Sequence, residues 1–288
     1  MRDVWARLPT EKVRPRPLDT MRPEALVALL CGAEADSVRA ARAAAPRIAR
    51  VAAWAGDAIA AGGRLIYVGA GTSGRLCALE AAESAPTFGS DRVVAVVAGG
   101  ARSLRRSVEG AEDRGADAER ALARLRVGPR DVVVAVAASG VTPFARAALA
   151  AARAAGARTA LVTAAAGARG ADAVIVLPVG PEILAGSTRL KAGTATKIAL
   201  NALTTAAMVR AGKCYGPFMV DVRGTSAKLR ARQRRIVGAL APGDPATLLR
   251  RAGGSVKTAV VMGRLGVSRA RAEAMLAAAG GHLRGVIR

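Results

Sequence analysis

Five short runs of Val, Ile and Ala, each separated from the next by a loop or a helical stretch, constrain this chain more than any other feature. They are RLIYVG (64–69), VVAVV (93–97), DVVVAVAAS (131–139), TALVT (159–163) and AVIVLPV (173–179). The runs are continuously apolar and do not alternate, the pattern of strands buried on both faces. Strands joined through helices imply right-handed crossovers and an α/β fold: a three-layer αβα sandwich around a parallel sheet of about five strands. Aromatic residues make up only 2% of the chain, so the core must be built from Ala, Val, Leu and Ile. That composition suits a helix-covered parallel sheet better than an all-β sandwich.

The flanks read differently. Residues 20–62 place Leu26, Leu29, Leu30, Val38, Ile48, Val51, Trp54 and Ile59 at helical spacings, and 190–212 reads as one long Ala- and Leu-rich helix broken by GKCYGP. Beyond it lie a basic helix near 226–239, the break APGDP, and helices near 245–252, 255–265 and 268–279. The expected organisation is an N-terminal helical segment (1–50) packed on the sheet domain, the sheet domain (51–215), and a small C-terminal helical domain (216–288). No repeat of fixed period is present.

Composition excludes several classes of chemistry. The N-terminal MRDVWARLPTEKVRPRP has no apolar stretch of the signal-peptide kind, and no window reaches the length of a membrane span, so a cytoplasmic protein without membrane contact is expected. Cys31, Cys77 and Cys214 lack metal-ligand spacing and His282 is the sole histidine, so no metal site is expected. Acid–base work therefore falls to carboxylates. A net charge of +23 raises the question of a polyanionic partner, but 38 of the 44 basic residues are Arg spread over helices. Without interleaved aromatics or a recognition signature, nucleic acid is not the expected partner.

The chemistry is written at the strand ends. The first strand runs into GAGTSGRL (69–76), where Gly71, Thr72, Ser73 and Gly74 open a helix and can cradle an anion with hydroxyls and helix N-terminal amides. The loop also matches GxGxxG, but VVAGGAR follows the second strand with no acidic residue to hold a ribose, which argues against a dinucleotide. AASGVTP (137–143) brings Ser139, Gly140 and Thr142; AGSTRLKAGT (185–194) brings Ser187, Thr188 and Lys191. Each loop alone is ordinary helix capping, whereas three converging at strand ends suit a phosphosugar. Glu80 and Glu83 share a face of the helix after the first loop, and Glu109, Glu112 and Asp113 cluster in SVEGAEDRG. Either acidic group can be a solvated surface or a catalytic one.

The ordered blocks RLIYVGAGTSGRL, EAAESAPTFG, VEGAED, AASG.TP, GSTRLKAGTATK and YG..MVDV resemble the N-acetylmuramic acid 6-phosphate etherases from about Thr10 to the C-terminus. The resemblance implies a sugar isomerase (SIS) fold, a homodimer with its active site near the subunit interface, and an appended helical domain of ubiquitin-associated type. It also implies removal of D-lactate from a phosphorylated amino sugar by elimination and rehydration, without a cofactor. By matching of motifs, Glu83 is the proton donor to the departing lactate and Glu112 the base at C2, with Glu80 where the family commonly has Asp. Two carboxyls in different surroundings can hold opposite protonation states, one pKa unit being about 1.4 kcal/mol.

Several positions depart from the family pattern. Val141 stands for Arg, Pro217 and Ser226 for Asn, the Asn expected after Thr10 and Glu11 is absent, and the loop after Gly89 is shorter. A non-catalytic sugar-phosphate-binding regulator of the same fold is the competing reading; retention of Glu83 and Glu112 favours the enzyme.

Overall fold

A computed structural model describes residues 8–287; the first seven residues of the N-terminal stretch read above lie outside them. The N-terminal helical region is three helices: α1 (Pro23–Ala33), α2 (Ala35–Ala43) and α3 (Ala45–Ala60). The α2–α3 break falls where Pro46 occupies the first turn of α3, a position that tolerates a missing amide but not a continuing helix. Between them α2 and α3 bury Ala40, Ile48, Val51, Ala52, Ala55 and Ile59 in the same core as the sheet.

The sheet comprises β1 (Leu65–Gly69), β2 (Val93–Val97), β3 (Val132–Val136), β4 (Arg158–Thr163) and β5 (Ala173–Val176), in the order β2-β1-β3-β4-β5 with every pairing parallel. All five residues of β1 and of β3 are buried, as central strands covered on both faces must be. One face carries α3, α4 (Gly71–Phe88) and α7 (Lys191–Arg210); the other carries α5 (Gly115–Arg124) and α6 (Pro143–Ala154). Tyr67 on β1 is fully buried and its hydroxyl lies 2.8 Å from Thr204 Oγ1, pinning α7 to the sheet. The buried Asp131, beside β3, accepts from Arg64 at 2.7 Å and from the amides of Arg64 and Gly128, which locks the entrances of β1 and β3 together.

A second core gathers the C-terminal residues. After a two-residue turn joining β6 (Cys214–Tyr215) to β7 (Phe218–Met219), α8 (Ala227–Leu240), α9 (Pro245–Arg251), α10 (Val256–Leu265) and α11 (Arg269–Ala278) enclose Val220, Val237, Val260, Val261, Ala272 and Leu283. Each of these four helices begins at a side-chain cap, Ser226, Asp244, Ser255 and Ser268 in turn. Asp221 ties this unit to the residue before β6 by pairing with Lys257 at 2.7 Å and Lys213 at 3.1 Å. No helix of the described residues is long and apolar enough to cross a membrane.

Candidate active site

From β1 the chain turns one way to reach β2, and from β3 the other way to reach β4, so the loops after β1 and β3 part and leave a crevice at the strands' carboxyl ends. A cavity of about 290 Å³ occupies it. Ala70, Gly71, Thr72 and Ser73 line it from the first loop, Ser139 and Thr142 from the second, Gly186 and Thr188 from the third, and Glu112 from the short 3-10 turn Ala111–Asp113.

The glycines of the first loop earn their places sterically. A Cβ on Gly74 would sit 2.6 Å from the Gly69 carbonyl oxygen and 2.6 Å from Val97 Cγ1, so only glycine lets α4 start this close to β1 and β2. The third glycine of the GxGxxG match is thus accounted for by close helix–strand packing. In the second loop Ser139 Oγ stands 3.3 Å from Thr142 Oγ1 and accepts from the Val141 amide at 3.3 Å, which orients both hydroxyls at the start of α6.

Of the residues singled out from sequence, Gly71, Thr72, Ser73, Ser139, Thr142, Thr188 and Glu112 share this cavity. Gly74 supports it from behind, and Gly140 lines a neighbouring hollow with Val141 and Arg146. Ser187 is partly exposed in the loop, its amide donating to the Leu184 carbonyl.

Lys191, expected at the ligand, is turned elsewhere. Its side chain is 2% exposed, and its ammonium pairs with Asp36 at 2.9 Å and donates to the Val179 carbonyl at 2.7 Å. The salt bridge and hydrogen bond to Lys191 hold the Asp36 carboxyl below its usual range. Lys191 fastens α7 to α2, while the buried Glu182 caps the start of α7 by accepting from the Lys191 and Ala192 amides at 3.1 and 2.9 Å. Burial raises the Glu182 carboxyl, against the pull of those two amides.

Glu80 and Glu83 lie further along α4, facing α7. Eleven residues separate Thr72 from Glu83, about 16 Å along a helix axis, so one chain does not bring Glu83 into the cavity with Glu112. Lys197 Nζ lies 3.5 Å from Glu80 Oε2 and 3.7 Å from Glu83 Oε2, with Glu80 buried and the Glu83 side chain 60% exposed. The first contact is an ion pair by distance but falls short of hydrogen-bond geometry; Glu80 Oε2 has no hydrogen-bond partner among the described residues.

Two further features at the cavities carry no motif of their own in the sequence. Leu8, Thr10 and Glu11 cover the cavity as a short N-terminal strap, tied to the third loop by the Gly186 amide donating to the Thr10 carbonyl at 2.9 Å. A Cβ on Gly186 would sit 2.6 Å from Glu11 Oε2, so the strap's carboxylate is seated directly on that glycine. Arg75 borders a smaller side cavity that shares Ala70, Gly71 and Glu112 with the main one. Thr10 and Glu11 stood in the sequence only as a motif fragment, and Arg75 as one arginine among 38.

The fold and this crevice define a SIS-type sugar-phosphate protein. Residues 47–153 match the family model described as "Glucokinase regulatory protein N-terminal SIS domain". Over almost its whole length the chain is also similar to proteins named N-acetylmuramic acid 6-phosphate etherase. One from Deinococcus radiodurans is 50% identical over 96% of this chain and 94% of its own. Those of Rubrobacter xylanophilus (48% identical; 91% of this chain, 89% of its own) and Streptomyces avermitilis (44%; 97% and 93%) are similar on the same scale. This chain belongs to the N-acetylmuramic acid 6-phosphate etherase family.

Proposed function

We propose that this protein is a carbon–oxygen lyase that cleaves the D-lactyl ether of N-acetylmuramic acid 6-phosphate, giving N-acetylglucosamine 6-phosphate and D-lactate. The observation that carries the reading is the placement of Glu112 at a cavity walled by three hydroxyl-bearing loops, in a chain similar to etherases along its length. The phosphate is held by Thr72, Ser73, Ser139 and Thr188 together with the amides opening α4. With the sugar ring open, the C1 aldehyde acidifies the C2 proton, which Glu112 takes. The C3–O bond then breaks, its electron pair leaving on the lactate oxygen, and that oxygen takes a proton from an acid. Water adds at C3 and a proton returns to C2, so the overall change is redox-neutral hydrolysis.

Glu83 is the proposed acid, and it acts from a second copy of the chain. The α4–α7 face that carries it also exposes Leu79 and Val209, which are 41% and 52% accessible. A homodimer docked there covers that apolar face and carries each Glu83 towards the partner's cavity. Assay of D-lactate from N-acetylmuramic acid 6-phosphate tests the activity, and subunit complementation tests the arrangement. Glu83→Gln and Glu112→Gln should each be inactive alone, whereas a remixed dimer of the two regains about a quarter of normal turnover, having one intact composite site in each heterodimer. No recovery on mixing would refute the shared site, and a Glu83→Gln variant with near-normal turnover would put Glu83 out of the acid role.

A further inference from the structure

The substrate assigned above carries two anions, the 6-phosphate and the carboxylate of the lactyl group, and the main cavity accounts for only one of them. Its lining includes two carboxylates, Glu11 and Glu112, and no lysine or arginine. A lactyl carboxylate held among those groups would be repelled without compensation.

The smaller cavity adds what the main one lacks: beside the carboxylates of Glu109 and Glu112 its lining includes a guanidinium, that of Arg75. It measures about 120 Å³, and Arg75, Ser103 and Ser107 line it beyond the wall of Ala70, Gly71 and Glu112 that it shares with the main cavity. That volume equals about four waters at roughly 30 Å³ each, the scale of a three-carbon acid and too small for a second hexose. The serine hydroxyls on its far side are already engaged: Ser103 donates to the Gly100 carbonyl at 2.7 Å and Ser107 to Glu109 Oε1 at 2.6 Å. Arg75 is half-buried and, among the described residues, makes no ion pair and no side-chain hydrogen bond. A planar guanidinium left without a partner in a carboxylate-sized cavity matches the two-pronged geometry of a carboxylate ligand.

We infer that this side cavity is the lactyl subsite and that Arg75 binds the lactyl carboxylate. Connectivity agrees. The carbon that loses its proton to Glu112 is bonded to the carbon bearing the ether, so a base standing in the shared wall puts the sugar on one side and the lactyl group on the other. Arg75 thereby selects substrate over product and holds the leaving group while the C3–O bond breaks.

The inference rests on the etherase reading, and the test separates the two. Binding is measured in the Glu112→Gln background, where turnover does not interfere, for N-acetylmuramic acid 6-phosphate and for N-acetylglucosamine 6-phosphate, with and without Arg75→Gln. Loss of Arg75 should weaken the lactyl-bearing ligand about tenfold or more and leave the lactate-free one within about twofold; Arg75→Lys, a point charge without the fork, should fall between. Retained binding of the lactate-free sugar also reports an intact fold. Equal weakening of both ligands would place Arg75 in the phosphate cradle, and no change in either would remove it from the site; both results overturn the subsite. If the unmutated chain releases no D-lactate yet still prefers the lactyl ligand through Arg75, the subsite stands and the lyase reading falls.

Discussion

Gly74 shows how tightly one residue can determine this site. Replacing it with Ala forces a methyl group against the Gly69 carbonyl oxygen and Val97, so α4 must back away from the sheet. The expected cost is about 1–3 kcal/mol of stability, with phosphosugar affinity falling as the hydroxyls of Thr72 and Ser73 move; denaturant unfolding and ligand titration of the same variant check both. Asp131 makes a prediction about acid. Burial raises its carboxyl, but the Arg64 guanidinium and the Gly128 amide outweigh burial and hold it below the usual carboxylate range. A carboxyl lowered in the folded state stabilises fully above its unfolded pKa and loses that contribution as pH falls through the folded value. The loss therefore belongs below about pH 4. Asp131→Asn should lower stability at pH 7 by about 2 kcal/mol and flatten the decline below pH 4, as read by thermal melts across pH. The motif singled out Glu112, which lines the cavity, but the place of Lys191 was not legible. A lysine in a loop of ligand-binding type reads as a ligand, and its pairing with Asp36, 155 residues away, leaves no trace in local sequence.

At the scale of elements, hydrophobic period served well wherever burial was uniform. All five predicted strands are present, with ends trimmed where the apolar run outlasts the ladder: AVIVLPV pairs only through Val176, before Leu177 and Pro178. The long helix read at 190–212 is α7, Lys191–Arg210. The continuous helical pattern before β1 concealed two breaks, and the β6–β7 turn lay inside a segment read only as a helix breaker, because two-residue strands are too short to show a period. Departures from the family pattern become physical here. Ser226 stands where Asn is usual, and its side chain accepts from the Leu229 amide at 3.2 Å to cap α8, a role both residues perform. Ser226→Ala should cost about 1 kcal/mol while Ser226→Asn should be nearly neutral; chemical denaturation of the two variants against the parent separates them. Pro217 sits in the β6–β7 turn, where the two residues Gly216 and Pro217 join the strands. Nothing in the structure explains the replacement of Arg by the exposed Val141.

For the molecule as a whole, the topology puts the crevice that Glu112 lines at one end of the sheet and leaves Glu83 on a flank about 16 Å further along α4. The motif order named both glutamates, but a linear reading could not say that one chain keeps them apart, because that depends on the direction α4 takes from the cradle. The charge of +23 likewise says little about the site: the main cavity is lined by hydroxyls, backbone and two carboxylates, and the basic residues lie elsewhere. The proposed chemistry turns on the order of bond changes at C2 and C3. N-acetylmuramic acid 6-phosphate should therefore be turned over in deuterated water, with released D-lactate and deuterium at C2 of the sugar product measured in one sample. Elimination and rehydration require the two to appear together, one deuterium for each lactate, and both to vanish in Glu112→Gln. Lactate released without deuterium at C2 would contradict the mechanism, and tight binding of the phosphosugar with neither product would make the protein a sensor.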